Sequence, residues 1–293
     1  MSSCFNVHFH LNFFDSYNFV MNLLDIDLQK KNSEKKTVKI IAGLSNFNIK
    51  NIIEIAKAAE LSGANYIDIA ANPDAVKIIK SVIHLPVCVS SINPMSLYQC
   101  VLAGADKVEI GNFDFFYQKN ISFSAGQIMN LAQEVKCLIK NIDICVTIPH
   151  HLLLNEQIQL AISLKNLGIT CIQTEGISTK NRLPFIDRKP IVSSTYKSSA
   201  ALSSSYAIVH SINMPVIASS GIDAISAPIA VSYGALGVGI GSILNSFPTI
   251  DTMATYIDEV VSSVSFNNNK YVMDYSILKI HRINILNLKA KIG

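Results

Sequence analysis

A glycine followed by a short apolar strand occurs four times in this chain. The segments are "GANYIDIAA" from Gly63, "GADKVEIGN" from Gly104, "GITCIQTEG" from Gly168 and "GALGVGIGS" from Gly234. Each follows a stretch with apolar residues spaced by three and four, so each glycine reads as a helix stop. Between them lie four more apolar strands: "VKIIAG" (38–43), "PVCVSS" (86–91), "DICVTI" (143–148) and "PVIASS" (215–220). Two of these begin with Pro, which is tolerated at the first residue of a strand. Helix-like intervals at 48–62, 94–103, 124–140, 154–167, 198–212 and 223–233 alternate with the strands, and a last one spans 249–263. Strands that are apolar throughout belong to a parallel sheet covered on its outside. Eight such units in about 225 residues predict an α/β fold, a single (β/α)8 TIM barrel. A doubly wound open sheet is the alternative, because strand count does not prove closure.

The barrel is expected over 37–265, and with 49% hydrophobic residues the chain can bury a sizeable core. Residues 1–36 form an N-terminal extension whose aromatic and aliphatic residues suit a capping helix, and 266–293 an Asn-rich tail.

Aligning the repeats on their glycines brings Asp68, Glu109, Gln173 and Gly239 to the fifth position and Ala70, Gly111, Glu175 and Gly241 to the seventh. Positions two apart on a strand face the same way, and alternate strands fill each interior layer of such a barrel. Asp68, Glu109 and Gln173 are thus expected in one layer, with Glu175 a step nearer the C-terminal mouth. Carboxylates inside a barrel are costly unless paired, hydrogen-bonded or bound to a ligand. They read either as catalytic groups or as a satisfied structural network. Lys39 is the one lysine near an interior strand position, so a Schiff-base mechanism is disfavoured.

The run "GVGIGS" should turn sharply after the eighth strand. Without side chains at Gly239 and Gly241, backbone N–H groups near Gly241 and Ser242 can approach an anion. The loop after strand seven, "ASSGIDA", adds Ser220 and Gly221. Phosphate sites built from these two loops recur in TIM barrels; the other reading is a tight corner without a ligand. In "TIPHHLLLNE", Thr147 and His150 fall just past strand five, where a histidine can act as acid, base or phosphate contact. His151 reads as a solvated neighbour. Past strand four, Asn112 and Asp114 could reach the mouth while Phe113 packs. The long segment 176–198 reads as a lid or a surface insertion.

Composition removes other classes. A net charge of +3 with no basic cluster argues against a nucleic-acid partner. No apolar run is long enough to span a bilayer, and no Lys or Arg precedes Lys30, so neither a secretory signal nor a transit peptide is expected. Six cysteines without a C-x-x-C pair point to reduced, buried thiols. Arg supplies three of the 24 basic residues, while Asn, Ile and Lys are plentiful, which suits an AT-rich coding genome such as an organelle's.

Residues 38 to about 263 resemble the plastid and cyanobacterial family called hypothetical chloroplast reading frame twenty-three (Ycf), whose function is not defined. The segments that carry the resemblance include "IAGLSNFN", "AAELSGANYIDIAANP", "AGADKVEIGNFDFFY", "VTIPHHLLLNEQIQLA" and "SSGIDAISAPIAVSYGALGVGIGS". The resemblance implies a soluble plastid (chloroplast) protein and supplies no catalytic residues. Two functions follow from the residues themselves. One is an enzyme acting on a small phosphorylated metabolite, as an isomerase, epimerase or aldolase-like lyase, with Glu109, Glu175, Asp68 and His150 moving a proton. A divalent cation held by those carboxylates is part of that reading. The other is a non-catalytic barrel that binds a phosphorylated ligand or flavin mononucleotide as a sensor.

Overall fold

The computed structural model describes residues 36–43, 45–111, 113–176 and 190–265. The expected capping helix before Lys36 and the tail 266–293 lie outside them. Eight strands appear in chain order: β1 (Thr37–Gly43), β2 (Tyr66–Ala70), β3 (Val87–Ser90), β4 (Lys107–Ile110), β5 (Asp143–Ile148), β6 (Cys171–Thr174), β7 (Val216–Ser219) and β8 (Gly237–Ile240). Every neighbouring pair is parallel, and β1 pairs with β8, so the sheet closes into a barrel and the open-sheet alternative falls away. The helices are α1 (Ile49–Leu61), α2 (Pro73–Val82), α3 (Pro94–Leu102), a short α4 (Asp114–Tyr117), α5 (Ala125–Leu138), α6 (Leu154–Leu167), α7 (Pro190–Ser211), α8 (Ala227–Ser232) and α9 (Ile250–Ser265).

Local chemistry explains the helix boundaries. Asn72 and Asn93 accept hydrogen bonds from backbone N–H groups at the starts of α2 and α3, and Pro follows each at the first helical position. Ser124 and Gln127 form a reciprocal capping box at α5. The four repeat glycines all adopt left-handed backbone, with φ from 73° at Gly63 to 105° at Gly104, and end the preceding helices as their spacing predicts. Two helix starts differ, and the helix expected from 223 begins at Ala227. The helix expected from 198 begins at Pro190, so 190–198 is helix rather than loop; its Ser and Thr hydroxyls bond to carbonyls a turn back, as Ser198 does to Ser194.

The main core lies between barrel and helices. Outward-facing Ile67, Ile69, Val89, Val108, Ile144, Val146, Ile172 and Val238 are completely or almost completely buried against α-helical residues such as Ile55, Leu97, Ile128, Leu164 and Ile257. Inside, the strand registers define layers of four residues from alternate strands. Asp68, Glu109, Gln173 and Gly239 stand level, as the glycine alignment predicts. Beneath them lie Lys39, Cys88, Cys145 and Ile217. Above them come Ile41, Ser90, Thr147 and Ser219, and at the C-terminal mouth Ala70, Gly111, Glu175 and Gly241.

Candidate functional site

The interior polar groups form two tiers. In the deep tier, Lys39 rises from β1, where its register partner is Gly239. Its Nζ lies 2.8 Å from Asp68 Oδ2 and 2.5 Å from Glu109 Oε2, and donates to Gln173 Oε1 at 2.9 Å. Glu109 Oε1 accepts from Gln173 Nε2 at 2.8 Å and from Thr147 Oγ1 at 3.0 Å, and Ser90 Oγ donates to Asp68 Oδ1 at 2.6 Å. Asp68 Oδ2 has the Lys39 charge beside it but no hydrogen bond. The charged members are at most 1% exposed.

Burial opposes charge on all of these groups. For Lys39 that cost is outweighed by the Asp68 and Glu109 carboxylates, which hold the ammonium well above the ordinary lysine range. For Asp68 burial dominates and Glu109 adds repulsion, so despite Lys39 its carboxyl is pushed up to about 6. A protonated amine has no lone pair with which to attack a carbonyl. Asp68, Cys88 and Glu109 do bring ligand-type atoms within 4.8 Å of one another. However, the ammonium already bridges both carboxylates, and burial followed by the Asp68 charge raises the Cys88 thiol well above its ordinary range. That donor set does not fit a divalent cation.

The mouth tier is built around Glu175. Its Oε1 accepts from Tyr117 Oη in a very short bond, from the His150 backbone N at 3.0 Å, and lies 3.1 Å from His150 Nδ1. The Tyr117 ring stands edge-on to His150 with centroids 4.8 Å apart, and edge-on to His151 at 5.5 Å. Glu175 is 7% exposed, and His151 is exposed. The other mouth positions, Ala70, Gly111 and Gly241, carry a methyl group or nothing. The space at Gly111 is taken by Thr147, whose Oγ1 lies 2.2 Å from where a Cβ would stand. The two small positions that remain, Ala70 and Gly241, lie on the β8–β1–β2 side.

The four predicted acid–base residues thus separate. Glu175 and His150 meet at the mouth. Asp68 and Glu109 meet one another below it, behind the layer of Ile41, Ser90, Thr147 and Ser219. Tyr117 and the reach of Lys39 were not singled out from sequence. Tyr117 lies in α4, 58 residues before its partner, and only the aromatic run "DFFY" after strand four hinted that a side chain there could overhang the mouth. Phe113 is fully buried among apolar residues, as expected of packing. Asn112 and 177–189 lie outside the described residues.

The glycines of β8 have different reasons. A Cβ at Gly237 would stand 2.0 Å from the Thr37 carbonyl oxygen, and one at Gly239 2.8 Å from Ser219 Oγ. Both are demanded by packing inside the barrel, and Gly239 is buried. At Gly241 a Cβ would meet Ile41 no closer than 3.4 Å, an ordinary van der Waals contact, so side-chain packing makes little demand there. Gly241 leads into a short 3-10 turn, Ser242–Ser246. After β7, Ser220 and Gly221 are both left-handed, with φ of 83° and 71°, and a Cβ at Gly221 would meet the Lys197 carbonyl oxygen of α7 at 2.3 Å. Ser194 of the same helix donates to Asp223 at 2.5 Å, tying α7 to this loop.

Among the described residues, no helix is long and apolar enough to cross a membrane. The free thiols Cys88, Cys100, Cys145 and Cys171 are buried, while Cys137 is exposed, against the expectation for that residue.

Comparison with solved structures supports the fold. The (S)-3-O-geranylgeranylglyceryl phosphate synthase of Thermoplasma acidophilum, in complex with sn-glycerol-1-phosphate, superposes with a TM-score of 0.57 at 16% identity, covering 84% of this chain and 99% of that one. A truncated 3-deoxy-D-arabino-heptulosonate 7-phosphate synthase from Thermotoga maritima gives 0.55 at 14% identity, covering 80% and 87%. At such identities the likeness shows the fold alone. Sequence relatives are nearer. "Uncharacterized protein ycf23" of Antithamnion sp. is 45% identical over 277 residues, covering 91% of this chain and all of the relative. The ycf23 protein of Cyanidium caldarium is 35% identical, covering 83% and 94%. Their ycf names mark these relatives as plastid-encoded. A family model described as "Protein of unknown function (DUF561)" matches residues 22–270. On both matches, the chain belongs to the ycf23 family.

Proposed function

We propose that this barrel is a plastid enzyme that binds a small phosphorylated metabolite at its C-terminal mouth and moves a proton on it, as an isomerase, epimerase or aldolase-like lyase does. The observation that carries the reading is the mouth layer itself. Three of its four positions bear a methyl group or no side chain, and the fourth is Glu175 in contact with Tyr117 and His150. TIM-barrel interiors are normally filled by bulky side chains, so a layer of small residues with one carboxylate suits a ligand rather than a core. Ser220, Gly221, Gly241 and Ser242 are the proposed phosphate contacts, and Gly239 supports them from the layer below.

Within this scheme Glu175 and His150 are the proton-moving groups, and Tyr117 holds the carboxylate at the mouth. Asp68 and Glu109 act from beneath, through Thr147 and the ordered Lys39, as positioning residues. The solved neighbours include two synthases named for phosphate esters, one of them in complex with the substrate sn-glycerol-1-phosphate, which agrees with the reading without identifying the substrate.

The test is thermal unfolding with triose phosphates, sugar phosphates and flavin mononucleotide. A phosphorylated ligand at about one hundred times its dissociation constant adds about 2.7 kcal/mol of stability. Gly241→Asp should abolish the shift, and Glu175→Gln should keep it while removing turnover. A phosphate-dependent shift that survives Gly241→Asp would refute the placement. A shift only with flavin mononucleotide would favour the non-catalytic alternative.

A further inference from the structure

The solvent face of α7 differs from those of the other long helices. Exposed charged side chains are spread along α1, α2, α5, α6 and α9, among them Lys57, Lys77, Glu134, Glu156 and Asp258. The 22 residues of α7 include a single Lys and no Arg, Asp or Glu. That residue, Lys197, is turned toward the loop after β7, where a Cβ at Gly221 would lie 3.0 Å from the Lys197 Cβ. The side of α7 that faces away from the barrel carries Val192, Tyr196, Ser199, Ser203, Tyr206 and His210, all exposed. At about 100° per residue they fall in one stripe about 80° wide, opposite the completely buried Ala201. Val192, Tyr196 and Tyr206 are 43%, 51% and 50% exposed. Depletion of charge and enrichment in tyrosine mark the centres of protein interfaces.

The order of residues along the stripe indicates the partner. Their intervals are four, three, four, three and four residues, the same read from either end. Tyr196 and Tyr206 stand equally far on either side of Ala201, as do Ser199 and Ser203. A second α7 laid antiparallel on the first, with a two-fold axis at the level of Ala201, sets each Tyr196 against Tyr206 of the other copy. Ser199 then meets Ser203 in the same way. Every contact occurs twice, as an isologous interface requires.

The side chains suit such a crossing. Serines at its centre let two helices approach at the short end of the usual range of about 8–10 Å. Ser199 demands no new partner, because its Oγ donates to the Tyr196 carbonyl at 3.0 Å. The Tyr206 ring is already held, with centroids 4.1 Å from His210 and 5.1 Å from Tyr233, which is itself 37% exposed. A side chain ordered beforehand loses less freedom on association. A helix of this length is about 33 Å long and about 12 Å wide, a footprint of about 400 Å² before Tyr233 is added. That is close to the roughly 500 Å² per partner of the smallest specific interfaces.

We propose that the chain forms a two-fold dimer through antiparallel α7 helices that cross at Ala201. The contact stands apart from the phosphate site, and its test needs no ligand. Sedimentation equilibrium of the full chain at up to about 100 μM should give twice the 32.0 kDa chain mass. Ser199→Lys sets two like charges beside the axis, as does Ser203→Asp, and each should raise the dissociation constant at least about tenfold. Both positions are exposed, so folding should survive, and far-UV circular dichroism checks that it does. Mixing the two variants sets the new lysine of one protomer against the new aspartate of the other and should recover a dimer. A wild-type chain of single mass at about 100 μM would overturn the proposal and give the face to a different partner. A dimer that tolerates both charges would also overturn it, by placing the contact elsewhere. Variants that stay monomeric when mixed would overturn the antiparallel pairing.

Discussion

Asp68 offers a sharp test of the barrel's interior electrostatics, because two opposing effects act on it and one must win. Burial and Glu109 disfavour its charge while Lys39, 2.8 Å away, favours it. The balance holds its carboxyl at about 6 against an ordinary 3.8. The folded protein therefore keeps the Asp68 proton at pH values where the unfolded chain has lost it. The stability this provides is fully present below about pH 4 and is lost as pH rises through 6. At 1.36 kcal/mol per unit, the whole loss is about 3 kcal/mol, roughly half of it between pH 5 and 7.5. Asp68→Asn cannot titrate, so it removes this one dependence and keeps that of every surface group. Urea denaturation of both proteins at pH 5 and 7.5 should show the wild-type advantage over Asp68→Asn shrinking by roughly 1–2 kcal/mol at the higher pH. In melting temperature that is about 3–6 °C for a barrel of this size. A constant difference would refute the perturbation. It would mean that Lys39 wins, because a carboxyl held at or below its ordinary value is already ionised at both pH values.

Other substitutions test separate parts of the account. Lys39→Met leaves two carboxylates without their cation in a dry interior and should destabilise the barrel by about 3–5 kcal/mol in denaturant titrations, with Glu109→Gln added to it restoring part of the loss. Gly237→Ala drives a methyl group against the Thr37 backbone and should cost about 3 kcal/mol or more, whereas Gly241→Ala should cost less than about 1 kcal/mol. Equal costs would show that Gly241 is a packing glycine after all. Tyr117→Phe should slow turnover at saturating substrate with little change in the phosphate-induced melting shift; an unchanged rate would remove Tyr117 from the site.

Strand order and interior parity were legible because they follow from short-range spacing. Gly63, Gly104, Gly168 and Gly234 mark helix ends, and counting forward from each placed Asp68, Glu109 and Gln173 in one layer and Glu175 above them. What spacing alone could not convey was which interior groups touch. Lys39 rises from the layer beneath and reaches Asp68, Glu109 and Gln173 at once, a fact of three dimensions. It converted two expected acid–base residues into the walls of a buried ion cluster. The start of α7 at Pro190 was missed because its serines and threonines read as loop, whereas in the structure they bond back along the helix. The three glycines at 237, 239 and 241 look alike in the sequence, and only the distances to Thr37, Ser219 and Ile41 separate packing from an approach left open.

The buried ion cluster also has a place in time. Barrel closure joins β1 to β8 across about two hundred residues, and such long-range pairing forms late. Lys39 is made early in synthesis, and an unpartnered ammonium cannot enter an apolar interior. Its two carboxylate partners lie on β2 and β4, so the ammonium meets its counter-charges within the first four strands, long before the ring can close. Gln173 and Thr147 arrive afterwards and add hydrogen bonds to a group already neutralised by its neighbours. The half-barrel β1–β4 can therefore collapse on the ribosome without a stranded ammonium, leaving the second half to supply the remaining hydrogen bonds to Glu109.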